Sequence, residues 1–401
     1  MKRKTALFLL FLAAFFAILF YFSPKNITLA AESDKTGEEQ LAESVDKEVE
    51  RLDTSPLQEF FDSLTSDERS LAGNGEIKTL LKSIAAGNFD GGFNEVISTV
   101  VRCAVKSILG FLPALISVII ISVLYGILSG LNSGFLDKST NQIIYFVCYG
   151  AALIILLNEI AGMVNMTVAT ADKLQKLMYA VFPVMLTMMT ALGGVSSVGL
   201  TRPFMTIAAT FIISFIGSFV IPCFIASVVF TVVGNLSPSV KLGKLSGFFR
   251  KLAEWSLGLV FGTFITLLTA KGIVGRTLDG IGVNAAKFAI SGYVPVLGGY
   301  ISDGFDVVMA SCILIKNSLG VTGLLLLLSV VLMPIVKLIA FTLCLKFVSA
   351  VIEPVSDGKM AEFVAGVSKS MSLLTASLFG LAFMFFAVVM LVIGGCNLGV
   401  V

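Results

Sequence analysis

The longest uncharged segment of the chain is residues 203–240, which contain no Asp, Glu, Lys or Arg over 38 residues. Residues 107–136 form a second uncharged segment of 30 residues. A membrane-spanning helix needs about 20 apolar residues, and a soluble domain cannot bury several longer runs in one core. Only 13% of the residues are charged, against about 25% in a typical soluble domain. The sequence therefore predicts an all-α, polytopic helical membrane protein.

Further apolar runs bring the expected number of spans to about seven or eight after the amino-terminal signal. These runs cover residues 142–171, 177–200, 255–270, 317–336, 338–352 and 371–395, and a basic amphipathic linker, residues 241–254, separates two of the spans. Pro222 lies at the middle of the 203–240 run, which predicts either a hairpin of two short spans or one long kinked helix. We expect the lysines within apolar sequence, such as Lys316 and Lys337, to be interfacial anchors, because lysine can extend its ammonium to water.

The amino terminus resembles a cleavable secretory signal peptide over residues 1–31. A cationic start (Lys2, Arg3 and Lys4) precedes an uncharged apolar stretch, residues 5–22, and small residues follow before the first acids. The alternative is an uncleaved first spanning helix. In either case the sequence predicts three parts: the signal, an exported segment (residues 32–92) and a polytopic body (residues 93–401).

The exported segment is strongly acidic, whereas the body is basic. Residues 32–95 carry 16 acidic and 6 basic side chains, a charge of −10, and the remaining residues to 401 carry a charge of +8. Apolar residues recur at helical spacing in residues 41–52, 57–64 and 77–84, which predicts two or three short amphipathic helices. Helices this short are unstable alone in water, so they need a partner: one another, the membrane surface or another protein.

Several classes of chemistry are disfavoured by what the sequence lacks. It has no histidine, which excludes Ser-His-Asp catalysis and histidine-ligated metals. Its six cysteines are scattered singly and it has no phosphate-binding GxxxxGK[ST] loop. A net charge of +2 gives no basic surface for nucleic acid. We therefore expect a protein that is not an enzyme, with no catalytic residues, cofactor or metal.

Two features could nevertheless carry function. Glu159 is an ionisable group inside an apolar run, which makes it a candidate intramembrane carboxylate, although an interfacial position or a lysine partner would also explain it. Residues 291–306 are rich in Gly and Pro, including Pro295, Gly298 and Gly299. Broken backbone at membrane depth requires burial in protein or a wet cavity. The pattern predicts a turn that carries Asp303 and Asp306, and both a functional turn and a structural loop fit it.

The motif of residues 292–303, GYVPVLGGYISD, together with the layout of signal, exported segment and polytopic body, resembles the stage III sporulation protein AE family. The resemblance implies a permease-like component of the channel or secretion apparatus that links mother cell and forespore, needed for forespore integrity and late forespore gene expression. It implies a position in the mother-cell membrane around the forespore. The implied partners are other proteins of the same sporulation operon, including a secretion-type ATPase and intermembrane ring proteins. It supplies no catalytic residues.

The residues also leave two other functions open. A self-sufficient secondary transporter could bind a coupling ion or small solute with Glu159, Asp303 and Asp306. The absence of a convincing inverted repeat and the few intramembrane charges disfavour it. An intramembrane hydrolase using Asp303 and Asp306 as a dyad is a weaker hypothesis, because such dyads bring carboxylates together from separate elements.

Overall fold

A computed structural model describes residues 35–73, 75–87, 93–132, 138–236, 242–293, 298–356 and 358–394. Every regular element in these ranges is a helix, so the predicted all-α class is confirmed. The predicted signal peptide, residues 1–31, lies outside the described residues.

Four short helices precede the bundle within residues 35–87: α1 (Lys35–Arg51), α2 (Ser55–Asp62), α3 (Ser66–Ala72) and α4 (Ile77–Ala85). Their boundaries follow from local chemistry. Pro56 occupies the first turn of α2, where its missing N–H costs nothing. Thr65 caps α3 in a capping box with Glu68. Gly73 adopts a positive φ of 105°, a conformation that favours glycine, and separates α3 from α4.

Long helices form the rest of the described chain. Their bounds are α5 (Phe93–Asn132), α6 (Lys138–Ala191), α7 (Val195–Phe215), a π-helical turn (Ile216–Val220), α8 (Ile221–Leu236), α9 (Gly243–Tyr293), α10 (Gly298–Ile352) and α11 (Lys359–Ile393). In the described part of the chain, six helical stretches are long and apolar enough to cross a membrane, α7 and α8 counting as one. The protein is thus a multi-pass helical membrane protein.

The six stretches correspond roughly to the seven or eight expected spans, because charges that interrupt an apolar run do not interrupt the helix. Helix α6 contains residues 142–171 and continues into the next apolar run, residues 177–200, as far as Ala191. Helix α10 contains both 317–336 and 338–352, and Lys337 between them is exposed. The helix continues through Lys337 because lysine is a good helix former. The residues expected as a basic linker belong, from Gly243 onward, to α9.

Residues 203–236 form one long helix rather than a hairpin, and residues 237–240 lie outside the described residues. The helical backbone is continuous from Val195 to Leu236, and α7 and α8 each adjoin the π turn without packing along one another. Pro222 has no N–H to donate to the carbonyl of Ser218, and the π turn lies immediately before it. The rearranged hydrogen bonding at this proline accounts for the irregular turn.

Helix α10 is the centre of the molecule. It packs against α11, α5 and α6, and also against α1, α3 and α4. Lys316 on this helix has 0% exposed surface, so its expected role as an interfacial anchor is wrong. The flanking apolar sequence reflects burial of α10 in protein, and a lysine there cannot reach lipid headgroups or water. Helices α5 and α6, by contrast, present rows of exposed apolar side chains.

Candidate functional site

The amino-terminal helices (α1–α4) form a docked layer on the bundle. Their apolar faces are buried: Val45, Val49, Leu52, Leu57, Phe60, Phe61, Ile77, Leu81 and Ile84. Helices α1, α3 and α4 lie on α10, and α2 lies on α6. The partner that these short helices need is therefore supplied by each other and by the bundle.

An ion pair fixes α3 to α6. Lys173 Nζ donates to Glu68 Oε1 at 2.8 Å and to Glu68 Oε2 at 2.9 Å. The Glu68 side chain is only 9% exposed and that of Lys173 is 36% exposed. Glu68 Oε2 also accepts the backbone N–H of Thr65 at 2.9 Å. One carboxylate thus caps a helix and binds a cation from the bundle, which satisfies its charge out of water.

Apolar contacts surround this pair. Leu71 of α3 packs with Cys103 of α5 and with Leu332 and Val336 of α10. Helix α3 therefore contacts three bundle helices. Within the docked layer, Gln58 Oε1 accepts the N–H of Ile77 at 2.9 Å and links α2 to α4.

The outward side of the docked layer carries charge. Lys82 Nζ lies 3.2 Å from Glu50 Oε1 and 3.3 Å from Asp46 Oδ1, and Lys78 Nζ lies 3.4 Å from Glu50 Oε2. Hydrogen bonds from Lys82 and then Lys78 lower the pKa of the Glu50 carboxyl. The same contacts, Glu50 first and Asp46 second, raise the pKa of Lys82. These pairs connect α1 to α4 across an exposed surface.

The residues of the predicted turn lie at the start of α10. Gly298, Gly299, Asp303 and Asp306 all belong to its first turns, and Pro295 lies outside the described residues. Irregular backbone was expected across 291–306, but residues 291–293 and 298–306 are helical, and residues 294–297 lie outside the described residues. The two aspartates sit on the helix that later passes beneath the docked layer.

Glu159 lies on α6, partly buried. It is 14 residues from Lys173 on the same helix, about 21 Å at 1.5 Å per residue, so it does not contribute to the ion pair. No group of three metal-ligating side chains comes together in the part of the chain that the structure describes.

A buried hydroxyl cluster joins α8, α9 and α11, and the sequence reasoning missed it. Ser227 Oγ lies 2.9 Å from Ser370 Oγ and 3.2 Å from Ser246 Oγ. Thr231 Oγ1 lies 2.7 Å from Ser246 Oγ. Hydroxyl pairs of this kind connect helices in membranes. The sequence feature that could have predicted this cluster is the pair Ser227 and Thr231, which lie four residues apart, and so on one helix face, in an uncharged run.

Comparison with known proteins identifies the family. The family model for stage III sporulation protein AE matches residues 75–396, about four-fifths of the chain. The chain belongs to this family. It is also 23% identical over 362 residues to the stage III sporulation protein AE of Bacillus subtilis (strain 168), covering 90% of this chain and 89% of the relative. No solved structure matches it.

The family match includes the whole bundle and α4. It begins after α3, so Glu68 lies outside the matched residues whereas its partner Lys173 lies inside them. The turn residues and Glu159 also lie within the match. Family membership assigns a sporulation-related protein, and it leaves the roles of these residues to experiment.

Proposed function

We propose that this protein is a permease-like membrane component of the channel or secretion apparatus that links mother cell and forespore. The observation that carries the proposal is the match to the stage III sporulation protein AE family across the multi-pass bundle. In this proposal the protein sits in the mother-cell membrane around the forespore. The docked layer faces the space between the two membranes.

The docked layer supports a role in assembly. Its apolar side chains are occupied by the bundle, and its outward surface is charged through Asp46, Glu50, Lys78 and Lys82. Such a surface suits polar contacts with ring proteins in the intermembrane space. A secretion-type ATPase would act on the opposite, cytoplasmic end of the bundle. The role is non-enzymatic in this chain, which serves as a membrane core for its partners.

The first experiment is deletion of the gene in its spore-forming host. We expect normal vegetative growth, collapsed engulfed forespores, a silent late forespore reporter and a large loss of heat-resistant spores. Complementation with the full-length gene should restore all of these. Wild-type spore counts and reporter activity in the deletion strain would contradict the proposal.

Contact with operon partners can be tested by site-specific photocrosslinking in sporulating cells. A photoreactive residue at Glu43, exposed on α1, should capture a sporulation protein during engulfment. The same residue at Ile154, an exposed apolar position of α6, serves as the control and should capture no such protein. Equal capture at both positions would argue against a docking role for the amino-terminal helices.

The alternative function, a self-sufficient secondary transporter, rests on Glu159, Asp303 and Asp306. A transporter should bind a solute when purified alone and lose function in Glu159→Gln or Asp303→Asn. A channel component should require its partners and sporulate with either substitution. Spore counts for the two variants, measured beside the deletion strain, separate these functions.

A further inference from the structure

The first turns of α9 have one side fixed within the protein. Ser246 Oγ donates to the carbonyl of Ser227 at 2.8 Å, and Phe249 stacks on Phe230 of α8 with ring centroids 5.4 Å apart. Ala253 on the same side is fully buried. These contacts fix the rotation of the helix about its axis, and so they determine which residues point outward.

The outward side carries alternating lysines and aromatic rings. Lys244, Phe248, Lys251 and Trp255 follow one another at intervals of four, three and four residues, which places them on one face. All four are exposed, Phe248 by 56% and Trp255 by 71%. The acidic residue in these turns, Glu254, is rotated by about 100° from Trp255. It lies three residues from Lys251 and therefore borders the face at that lysine.

This face continues into an apolar span. Leu259 and Leu267 are exposed further along α9, and residues 255–270 contain no charge. Tryptophan and lysine are characteristic of the level where hydrocarbon meets headgroups. A second copy of this chain meeting the same face symmetrically would bring like charges together, whereas an anionic leaflet complements both lysines.

We propose that the face formed by Lys244, Phe248, Lys251 and Trp255, hereafter the α9 lipid face, binds the headgroups of anionic phospholipids. The aromatic rings insert at the headgroup boundary and the two ammonium groups contact lipid phosphates. The face thereby enriches anionic lipid around this side of the bundle.

The single tryptophan of the chain provides a direct reporter. The full chain is reconstituted in mixed phosphatidylcholine and phosphatidylglycerol vesicles at a 1:1 ratio, with brominated acyl chains on only one of the two lipids. Bromine quenches the fluorescence of Trp255 on contact. We expect stronger quenching when the anionic lipid is brominated, equivalent to a local enrichment of up to about fivefold for each lysine.

The double variant Lys244→Gln/Lys251→Gln should abolish this preference while leaving the unfolding temperature unchanged. Lys369→Gln, an exposed lysine on α11, is the matched control and should keep it. Equal quenching by the two brominated lipids would overturn the proposal, as would a preference that survives the double variant. Absence of quenching by either lipid would show that protein covers Trp255 and would also refute it.

Discussion

Replacement of Lys173 by methionine tests whether the ion pair fixes the amino-terminal helices to the bundle. Methionine keeps most of the side-chain volume but removes the ammonium that bonds both oxygens of Glu68. Breaking a fully buried ion pair costs about 3–5 kcal/mol. Lys173 is one-third exposed and Glu68 retains the N–H of Thr65, so we expect a loss of about 2 kcal/mol of docking free energy.

Hydrogen–deuterium exchange of the full-length protein in nanodiscs measures this loss. A loss of about 2 kcal/mol increases the undocked population about 30-fold, and the amides of α3 should exchange faster by that factor. The amides of the buried middle of α11 should be unaffected.

Lys176→Met is the matched control, because Lys176 is exposed one turn away on the same helix. It should leave α3 protected. If Lys173→Met and Lys176→Met change exchange in α3 by the same factor, the ion pair does not fix the docked layer. Combination with Glu68→Gln completes a double-mutant cycle. Removal of both charges should cost less than the sum of the two single losses.

Two further predictions concern close packing and surface charge. The Cβ added by Gly126→Ala would overlap the carbonyl oxygen of Val355, so this variant should lower the free energy of unfolding in detergent by about 1–3 kcal/mol. The control Gly130→Ala places its Cβ in open space and should raise the free energy of unfolding by up to about 1 kcal/mol. Equal effects would refute the close contact. The Glu50 carboxyl has a lower pKa in the folded protein than its unfolded-state pKa of 4.5. Its ion pairs therefore stabilise the docked layer above pH 4.5, and this stabilisation is lost as the pH falls through the folded-state pKa. Acid-induced exchange in α4 should therefore be smaller in Glu50→Gln than in the parent, and an identical acid response would contradict this.

The helices themselves could be predicted from the sequence because their signals are local. The proline at the start of α2 and the glycine after α3 each act within a few residues. The capping box of Thr65 and Glu68 is equally local, yet the helix that it begins, α3, was not among the two or three short helices expected. The irregularity at Pro222 is local too, and its two open interpretations differed only in the path taken beyond it. In the structure the helix continues through the proline, so the interpretation as one long helix is the correct one.

The contacts that build the site could not be predicted because they are distant in sequence. Glu68 and Lys173 are 105 residues apart, and Ser227 and Ser370 are 143 apart. In a membrane protein, faces that contact lipid and faces that contact protein are both apolar. Apolar periodicity therefore does not show what covers a face. Lys316 illustrates this: its neighbours in sequence match those of an interfacial lysine, yet the surrounding helices bury it completely.

The docked layer and the α9 lipid face occupy opposite ends of the bundle. The Tyr145 hydroxyl donates to the Asn235 carbonyl at 2.6 Å, which brings the start of α6 to the end of α8, next to the start of α9. The Ser349 hydroxyl donates to the Ala361 carbonyl at 2.9 Å, which joins the end of α10 to the start of α11. Near its end, α5 approaches the residues that follow α10, because Gly126 lies against Val355. The docked layer contacts the start of α5 through Leu71 and Cys103, and it therefore lies toward the other end.

Export of the amino-terminal helices, as we propose, would make the end that contains the start of α9 cytoplasmic. The chain near this end is rich in cations, including Lys138, Lys244, Arg250, Lys251 and Lys359. The end that carries the docked layer also has cations, including Arg102, Lys173 and Lys176, so the rule that lysine and arginine remain on the cytoplasmic side does not decide the orientation. The cytoplasmic leaflet is where anionic headgroups attract basic segments. If the docked layer lies in the space between the two membranes, as we propose, the α9 lipid face therefore lies against the anionic cytoplasmic leaflet.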